Sequence, residues 1–300
     1  MNQSYTSRLK YREGTAQDNT QIRKGYLWIM GFVIVIPWLL IYGLCTYITT
    51  SILGIKITST EVDMSTTSLF WTSFSGLFAT VLTVAGAIKI MERKRLRDIG
   101  LRIENRTTDI IIGVISAALC IIIGYIVLIS TKQIEFIRTN FNLYEMSATI
   151  FIFLFGAMIE ELLTRGYMQR VLMSRFNKYV AILISSLIFM LMHGANPNLG
   201  IIPFLNLFLV GILFGLSYQY TKNLWFPIAF HASWNFFQSL FGFNVSGISF
   251  YSAIESRIHT PTIINGGSFG FEGSILSILF EVGIILCLFL YYHKSDEIYR

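Results

Sequence analysis

The sequence has little charge, few cysteines and few prolines for its length. Only 13% of its 300 residues are charged while 54% are hydrophobic, and it contains 3 cysteines and 5 prolines. Soluble domains average about 25% charged residues, so a soluble fold of this composition would expose large apolar patches. Cys45, Cys120 and Cys287 lie in apolar runs without a C-x-x-C partner, which excludes a disulfide-rich secreted module. The apolar residues come in long blocks, which excludes a disordered chain and a coiled coil.

These long apolar blocks indicate a polytopic membrane protein. A spanning helix needs roughly 20 mostly apolar residues. The candidate spans are residues 27–47, 69–90, 110–129, 148–163, 180–192, 201–218, 224–243 and 275–292. The fourth and fifth spans are short and carry polar residues. We therefore predict an all-α, polytopic membrane bundle of about eight transmembrane helices.

Lysine and arginine concentrate on one side of these spans. That side comprises the N-terminal tail, the loop of residues 92–106 (called the basic loop below), and the segments after spans four and six. Its basic residues are Arg8, Lys10, Arg12, Arg23, Lys24, Arg93, Lys94, Arg95, Arg97, Arg102, Arg106, Arg165, Arg170, Arg175, Lys178 and Lys222. The opposite loops carry Lys56, Lys132, Arg138 and Arg257. Because short cytoplasmic loops are enriched in basic residues, we predict a multi-pass protein of the cell membrane with both termini in the cytoplasm.

The net charge of +6 does not indicate nucleic-acid binding, because the basic residues lie in short loops between apolar blocks. We interpret the basic loop as a topology signal that also attracts anionic lipid headgroups, so membrane lipid is a predicted partner and nucleic acid is not. The glycine-rich residues 266–274 lack the Lys-Ser/Thr pair of a phosphate-binding loop. They predict a turn-rich loop. The oligomeric state is not indicated by the sequence.

Ionisable residues within the spans mark a candidate site, because such residues are costly in lipid. The polar residues at membrane depth in the fourth, fifth and seventh spans are Glu160, Glu161, Arg165, His193, His231 and Asn235. Glu161 and Arg165 are four residues apart with the acid first, the favourable order for a helical ion pair. Glu160 points about 100° away, so we expect it to be the carboxylate left for general-base chemistry. His231 and Asn235 share one helix face.

These residues allow four interpretations. In the first, Glu160 and His193 activate water for amide hydrolysis, while His231 and Asn235 stabilise the oxyanion. In the second, Glu160, His193 and His231 bind zinc and leave a coordination position open. The third is ion or proton transport along a relay of buried groups. The fourth is a polar network that only holds the bundle together.

Three motifs in chain order resemble those of the CAAX protease and bacteriocin-processing family, also called the Abi family. The motifs are Glu160-Glu161-x-x-x-Arg165, Phe189-x-x-x-His193 and His231-x-x-x-Asn235. Members of that family are intramembrane proteases related to the type II CAAX prenyl endopeptidases. The resemblance covers about residues 147–244. On that basis the chain divides into a cytoplasmic tail (1–25), N-terminal transmembrane helices (26–146), a catalytic core (147–244), and a loop with the last helix (245–300).

The resemblance implies an endopeptidase that cleaves a peptide or protein tail near the cytoplasmic side of the membrane. The residues it implies are Glu160 as base, His193, His231 and Asn235 as further catalytic groups, and Glu161 and Arg165 as support. It favours a glutamate-dependent mechanism without a cofactor. Zinc, if present, would bind Glu160, His193 and His231. Among the jobs in the family we favour peptide or bacteriocin maturation or self-immunity, and the alternative is a non-enzymatic membrane adaptor or immunity protein that retains the polar network.

Overall fold

A computed structural model of the protein describes residues 29–55 and 65–298. Within them the chain forms eight helices and two short strands. The helices are α1 Met30–Ile52, α2 Thr66–Glu92, α3 Thr107–Ser130, α4 Leu143–Leu172, α5 Lys178–Met192, α6 Ile201–Thr221, α7 Trp225–Leu240 and α8 Ile275–Ile298. The strands are β1 Glu135–Thr139 and β2 Ile254–Arg257. The predicted cytoplasmic tail, residues 1–25, lies outside the described residues.

The predicted all-α membrane bundle is confirmed. The helices that are long and apolar enough to cross a bilayer are α1, α2, α3, α4, α6 and α8. Helices α5 and α7 have 15 and 16 residues, which is below the usual range of about 17–25 for a spanning helix. The count of eight transmembrane helices therefore stays a prediction for these two.

Polar caps fix where the two helices that carry Glu160 and His193 begin. The side-chain oxygen of Asn142 accepts hydrogen bonds from the backbone N–H groups of Tyr144 and Glu145 at the start of α4. Asn177 caps the start of α5 in the same way. These side chains satisfy donors that have no partner inside the helix.

The helices pack in two groups that meet at the second half of α4 and between α6 and α7. One group runs through neighbouring helices in the order α1, α2, α4, α7 and α3, and the other in the order α5, α6 and α8. Residues 162–169 of α4 contact both α5 and α6. One buried cluster gathers around Leu163, Tyr167 and Ile99 beside the basic loop. A second gathers around Phe230 and Phe271 on the far side of α7.

Strands β1 and β2 form a small antiparallel sheet that the sequence did not predict, with Glu135 opposite Arg257. Strand β2 belongs to residues 241–274, called the cover loop below, which connect α7 to α8. The predicted turns in its glycine-rich part are present. Gly270 has a φ of 104°, and a Cβ there would lie 1.8 Å from the carbonyl oxygen of Asn244, so only glycine fits this close approach.

Candidate active site

The candidate site begins at an irregular point of α4. Helix α4 is regular over Leu143–Glu161, becomes a π-helix over Leu162–Gln169 and ends with one α-helical turn at Arg170–Leu172. It is therefore longer than the predicted span of residues 148–163. Thr164, Arg165 and Gln169, which follow the predicted end of the span, are instead buried within the helix. The π-helical turn is rare in proteins, and where it does occur it is often found at a functional site.

The predicted ion pair between Glu161 and Arg165 is present and completely buried. Nη1 of Arg165 donates to Oε1 of Glu161 at 2.9 Å, and both side chains are 0% exposed. Nη2 of Arg165 donates to the carbonyl oxygen of Gly211 in α6 at 3.2 Å. The guanidinium lies over the ring of Phe189 with its central carbon 4.3 Å from the ring centroid. Arg165 is thus a buried link between α4, α5 and α6. The sequence had placed it among the basic residues after span four.

Glu161 also orients His231 across the bundle. Nδ1 of His231 lies 3.3 Å from the same Oε1 of Glu161. The imidazole stacks on Phe214, with ring centroids 5.4 Å apart. A histidine that is held at one ring nitrogen presents the other nitrogen in a fixed direction. Here that other nitrogen, Nε2, lies 4.0 Å from Oε2 of Glu160.

His193 approaches the same carboxylate oxygen from α5. Its Nδ1 lies 2.8 Å from the carbonyl oxygen of Phe189. A carbonyl only accepts hydrogen bonds, so Nδ1 carries the proton and Nε2 of the neutral ring is an acceptor. Nε2 lies 3.6 Å from Oε2 of Glu160. Oε2 is buried and has no hydrogen-bond partner in the protein, so two proton acceptors face each other at a distance beyond that of a direct hydrogen bond.

Asn235 lies one helical turn after His231 and lines the same small cavity. The cavity has a volume of about 20 Å³ and is also lined by His193. That volume is enough for a single water molecule and too small for a substrate side chain. The structure therefore brings together all six predicted site residues. Nε2 of His193 and Nε2 of His231 both face Oε2 of Glu160, and Asn235 lines the same cavity as the two histidines.

Two further acidic residues line this cavity and were missed by sequence analysis. Glu272 in the cover loop accepts hydrogen bonds from the backbone N–H and the hydroxyl of Ser246, at 3.1 and 2.9 Å. Burial raises the pKa of Glu272, although its contacts with Ser246 and the nearby His193 and His231 act in the opposite direction. Glu281 is a buried member of α8 whose Oε2 has no partner. An acid inside the apolar span 275–292 was a detectable signal, whereas nothing local distinguished Glu272.

The three predicted zinc ligands are Glu160, His193 and His231. Ligand atoms about 2.0–2.1 Å from a tetrahedral zinc ion lie about 3.4 Å from one another. Oε2 of Glu160 lies 3.6 and 4.0 Å from the two imidazole nitrogens. Within residues 29–55 and 65–298, no group of three His, Cys, Asp or Glu side chains is arranged to hold a metal ion. The two distances from Oε2 of Glu160 are thus longer than the ligand spacing of a bound zinc ion.

Comparison with known families agrees with the motifs. Residues 142–237 match the family model described as type II CAAX prenyl endopeptidase Rce1-like. The match includes all six predicted site residues and ends before Glu272 and Glu281. It confirms the resemblance over this segment, which is less than half of the chain, and it indicates a protease of the CAAX type in the membrane. A comparison with curated protein sequences finds no match.

Proposed function

We propose that the protein is an intramembrane endopeptidase that hydrolyses a peptide bond with water activated by Glu160. The observation that supports this most directly is the position of Glu160 Oε2. It is buried, lacks a protein partner and faces Nε2 of both His193 and His231. A buried carboxylate oxygen without a hydrogen-bond partner in the protein is free to take a proton from water.

In the proposed reaction, water transfers a proton to Glu160, with His193 accepting a hydrogen bond from the same water. The water oxygen forms a bond to the substrate carbonyl carbon, and the carbonyl becomes an oxyanion. His231 and Asn235 donate hydrogen bonds to that oxyanion, a contribution that is large in a water-poor site. When the C–N bond breaks, Glu160 returns the proton to the leaving amine.

The role of His231 sets a condition on its protonation. With Nδ1–H donating to Glu161, Nε2 carries a proton only in the doubly protonated ring. The two carboxylates beside the ring supply the negative charge that stabilises this form. Glu161 and Arg165 therefore act as positioning residues. Their pair holds the carboxylate that in turn orients His231.

The substrate in this proposal is a peptide or a protein tail, and the setting is the cell membrane with the basic loop and both termini in the cytoplasm. Peptide or bacteriocin maturation or self-immunity is the proposed job. The competing proposal is a membrane adaptor that keeps the polar network for stability. The reaction as proposed uses protein groups and water, and dependence on zinc is one outcome of the experiment below.

The experiment compares wild type with Glu160→Gln on a pooled peptide library in proteoliposomes, with and without a strong chelator. Glu145→Gln is the matched control, because Glu145 lies in the first turn of the same helix, away from the site. We expect wild type and Glu145→Gln to cleave with chelator present, and Glu160→Gln to lose turnover by about 10²–10⁴-fold. Cleavage that survives in Glu160→Gln would refute the proposal. Cleavage lost to chelator and restored by zinc would replace the mechanism with a metal-dependent one.

A further inference from the structure

The side of the polar cluster that faces the basic loop is closed. Every residue from Glu161 to Gln169 is buried. Gln169 donates to the carbonyl oxygen of Gly215 in α6 at 2.8 Å. Tyr218 of α6 donates to the carbonyl oxygen of Ile99 in the basic loop at 2.9 Å. Helix α6 and the π-helical segment of α4 thus form a packed layer between Glu160 and the basic loop.

The opposite side of the cluster is partly open. The side chain of Glu160 is 25% exposed and that of His193 is 12% exposed, whereas Glu161 and Arg165 are 0% exposed. His193 ends α5 and is followed by a turn in which Gly194 and Ala195 are exposed.

The length of α5 explains this opening. It starts at Lys178, on the side of the basic loop, and its 15 residues rise about 22 Å. The hydrocarbon core of a bilayer is about 30 Å thick, so α5 ends within the membrane half that lies away from the basic loop. Beyond the end of α5, toward the face opposite the basic loop, the first half of α4 therefore lacks α5 as a neighbour. The residues that line the cavity from this direction, Ser246 and Glu272, belong to the cover loop.

We infer that the candidate active site opens toward the membrane face opposite the basic loop and takes extended polypeptide segments from that face. Because the basic loop is predicted to be cytoplasmic, the substrate class is a secreted or membrane-anchored polypeptide reached from the non-cytoplasmic side. This differs from the cytoplasmic-side cleavage predicted from the sequence. The identity of the bound group as a substrate rests on the proposed function, whereas the direction of the opening rests on the burial pattern alone.

The test is cysteine labelling with a charged, membrane-impermeant thiol reagent in intact cells and in inverted membrane vesicles. Cys45, Cys120 and Cys287 are first replaced by alanine. Single cysteines are then introduced as His193→Cys in the site and Ala195→Cys in the adjoining turn. Arg97→Cys reports the basic loop, where the side chain is 59% exposed, and Thr139→Cys reports the exposed strand β1 on the opposite face.

We expect His193→Cys and Ala195→Cys to be labelled from the same side as Thr139→Cys and not from the side of Arg97→Cys. With the predicted orientation that side is the outside of intact cells. Labelling of His193→Cys together with Arg97→Cys would overturn the inference, and so would a site that is unlabelled from both sides while the three other positions react. Ala195→Cys keeps the test decisive if the His193 variant does not fold. Labelling needs no turnover, so a failure of the proposed protease activity would not be confused with a failure of this inference.

Discussion

Glu160 and Glu161 are neighbours in the chain, yet they face two regions built in opposite ways. On the Glu161 side the layer is fully buried, with an ion pair and aromatic rings packed around it. Beside the two histidines that face Glu160 lies a small cavity lined in part by the cover loop, whose turns depend on glycines and on hydrogen bonds to backbone groups. The first region therefore holds the second in position. The fully buried ion pair orients His231, whereas the side chain of Glu160 is partly exposed.

The largest effect is expected from Arg165→Ala, which removes the cation of the buried pair with Glu161. This change leaves the carboxylate of Glu161 buried without its cation, and breaking a buried pair in this way typically costs about 3–5 kcal/mol. We expect a large fall in the free energy of unfolding, measured by denaturant titration of the purified protein in detergent.

The matched control for that experiment is Arg138→Ala. Arg138 forms an ion pair with Glu255 at 2.7 Å across the small sheet, with its side chain 69% exposed. Because exposed pairs contribute little, we expect this variant to unfold almost like wild type. An equal loss of unfolding free energy in the two variants would contradict the view that the buried pair of Glu161 and Arg165 stabilises the site.

A smaller effect is expected from Gly270→Ala on the cover-loop side. The new Cβ would meet the carbonyl oxygen of Asn244, and the residue would have to keep a positive φ. Backbone strain of this kind costs of order 1–3 kcal/mol. The loop would move away from the cavity, so we expect turnover to fall more than stability does.

The control is Gly86→Ala in α2, where nothing lies within 4 Å of a new Cβ. In a helix this change is neutral or stabilising by up to about 1 kcal/mol. Thermal unfolding and peptide cleavage, measured side by side for both variants, check the prediction. An active, undisturbed Gly270→Ala would show that the cover loop does not depend on this approach.

The smallest effect is expected from Glu272→Gln, and it depends on pH. Burial raises the pKa of Glu272 above its usual 4.5, so its contribution to stability is fully present below pH 4.5 and is lost as pH rises through the folded-state pKa. Glutamine resembles the neutral acid and does not titrate. We expect the variant to match wild type near pH 4.5 and to become the more stable of the two as pH rises, in unfolding experiments across that range. A constant difference at every pH would argue against a raised pKa.

The helical bundle and most of the candidate site were predictable from the sequence, because both depend on local spacing. Apolar runs defined the spans, and the four-residue spacing of Glu161 and Arg165 defined their ion pair. The contact between Glu161 and His231 depends on how α4 and α7 pack, and no local pattern encodes it. The length of α4 was missed because Thr164 and Gln169 are polar in isolation, whereas in the fold each finds a hydrogen-bond partner inside the bundle.

The π-helical segment Leu162–Gln169 separates the two glutamates from Arg170, and its number of residues sets how these side chains are oriented relative to one another. Arg170 pairs with Glu92 at the end of α2, and this pair anchors the helix on the side of the basic loop. Each residue added to or removed from Leu162–Gln169 would rotate everything after it relative to Glu160 and Glu161. Either Arg170 or Glu160 would then face the wrong neighbours. In this stretch the protein should accept replacement of one amino acid by another of similar size more readily than any change in chain length.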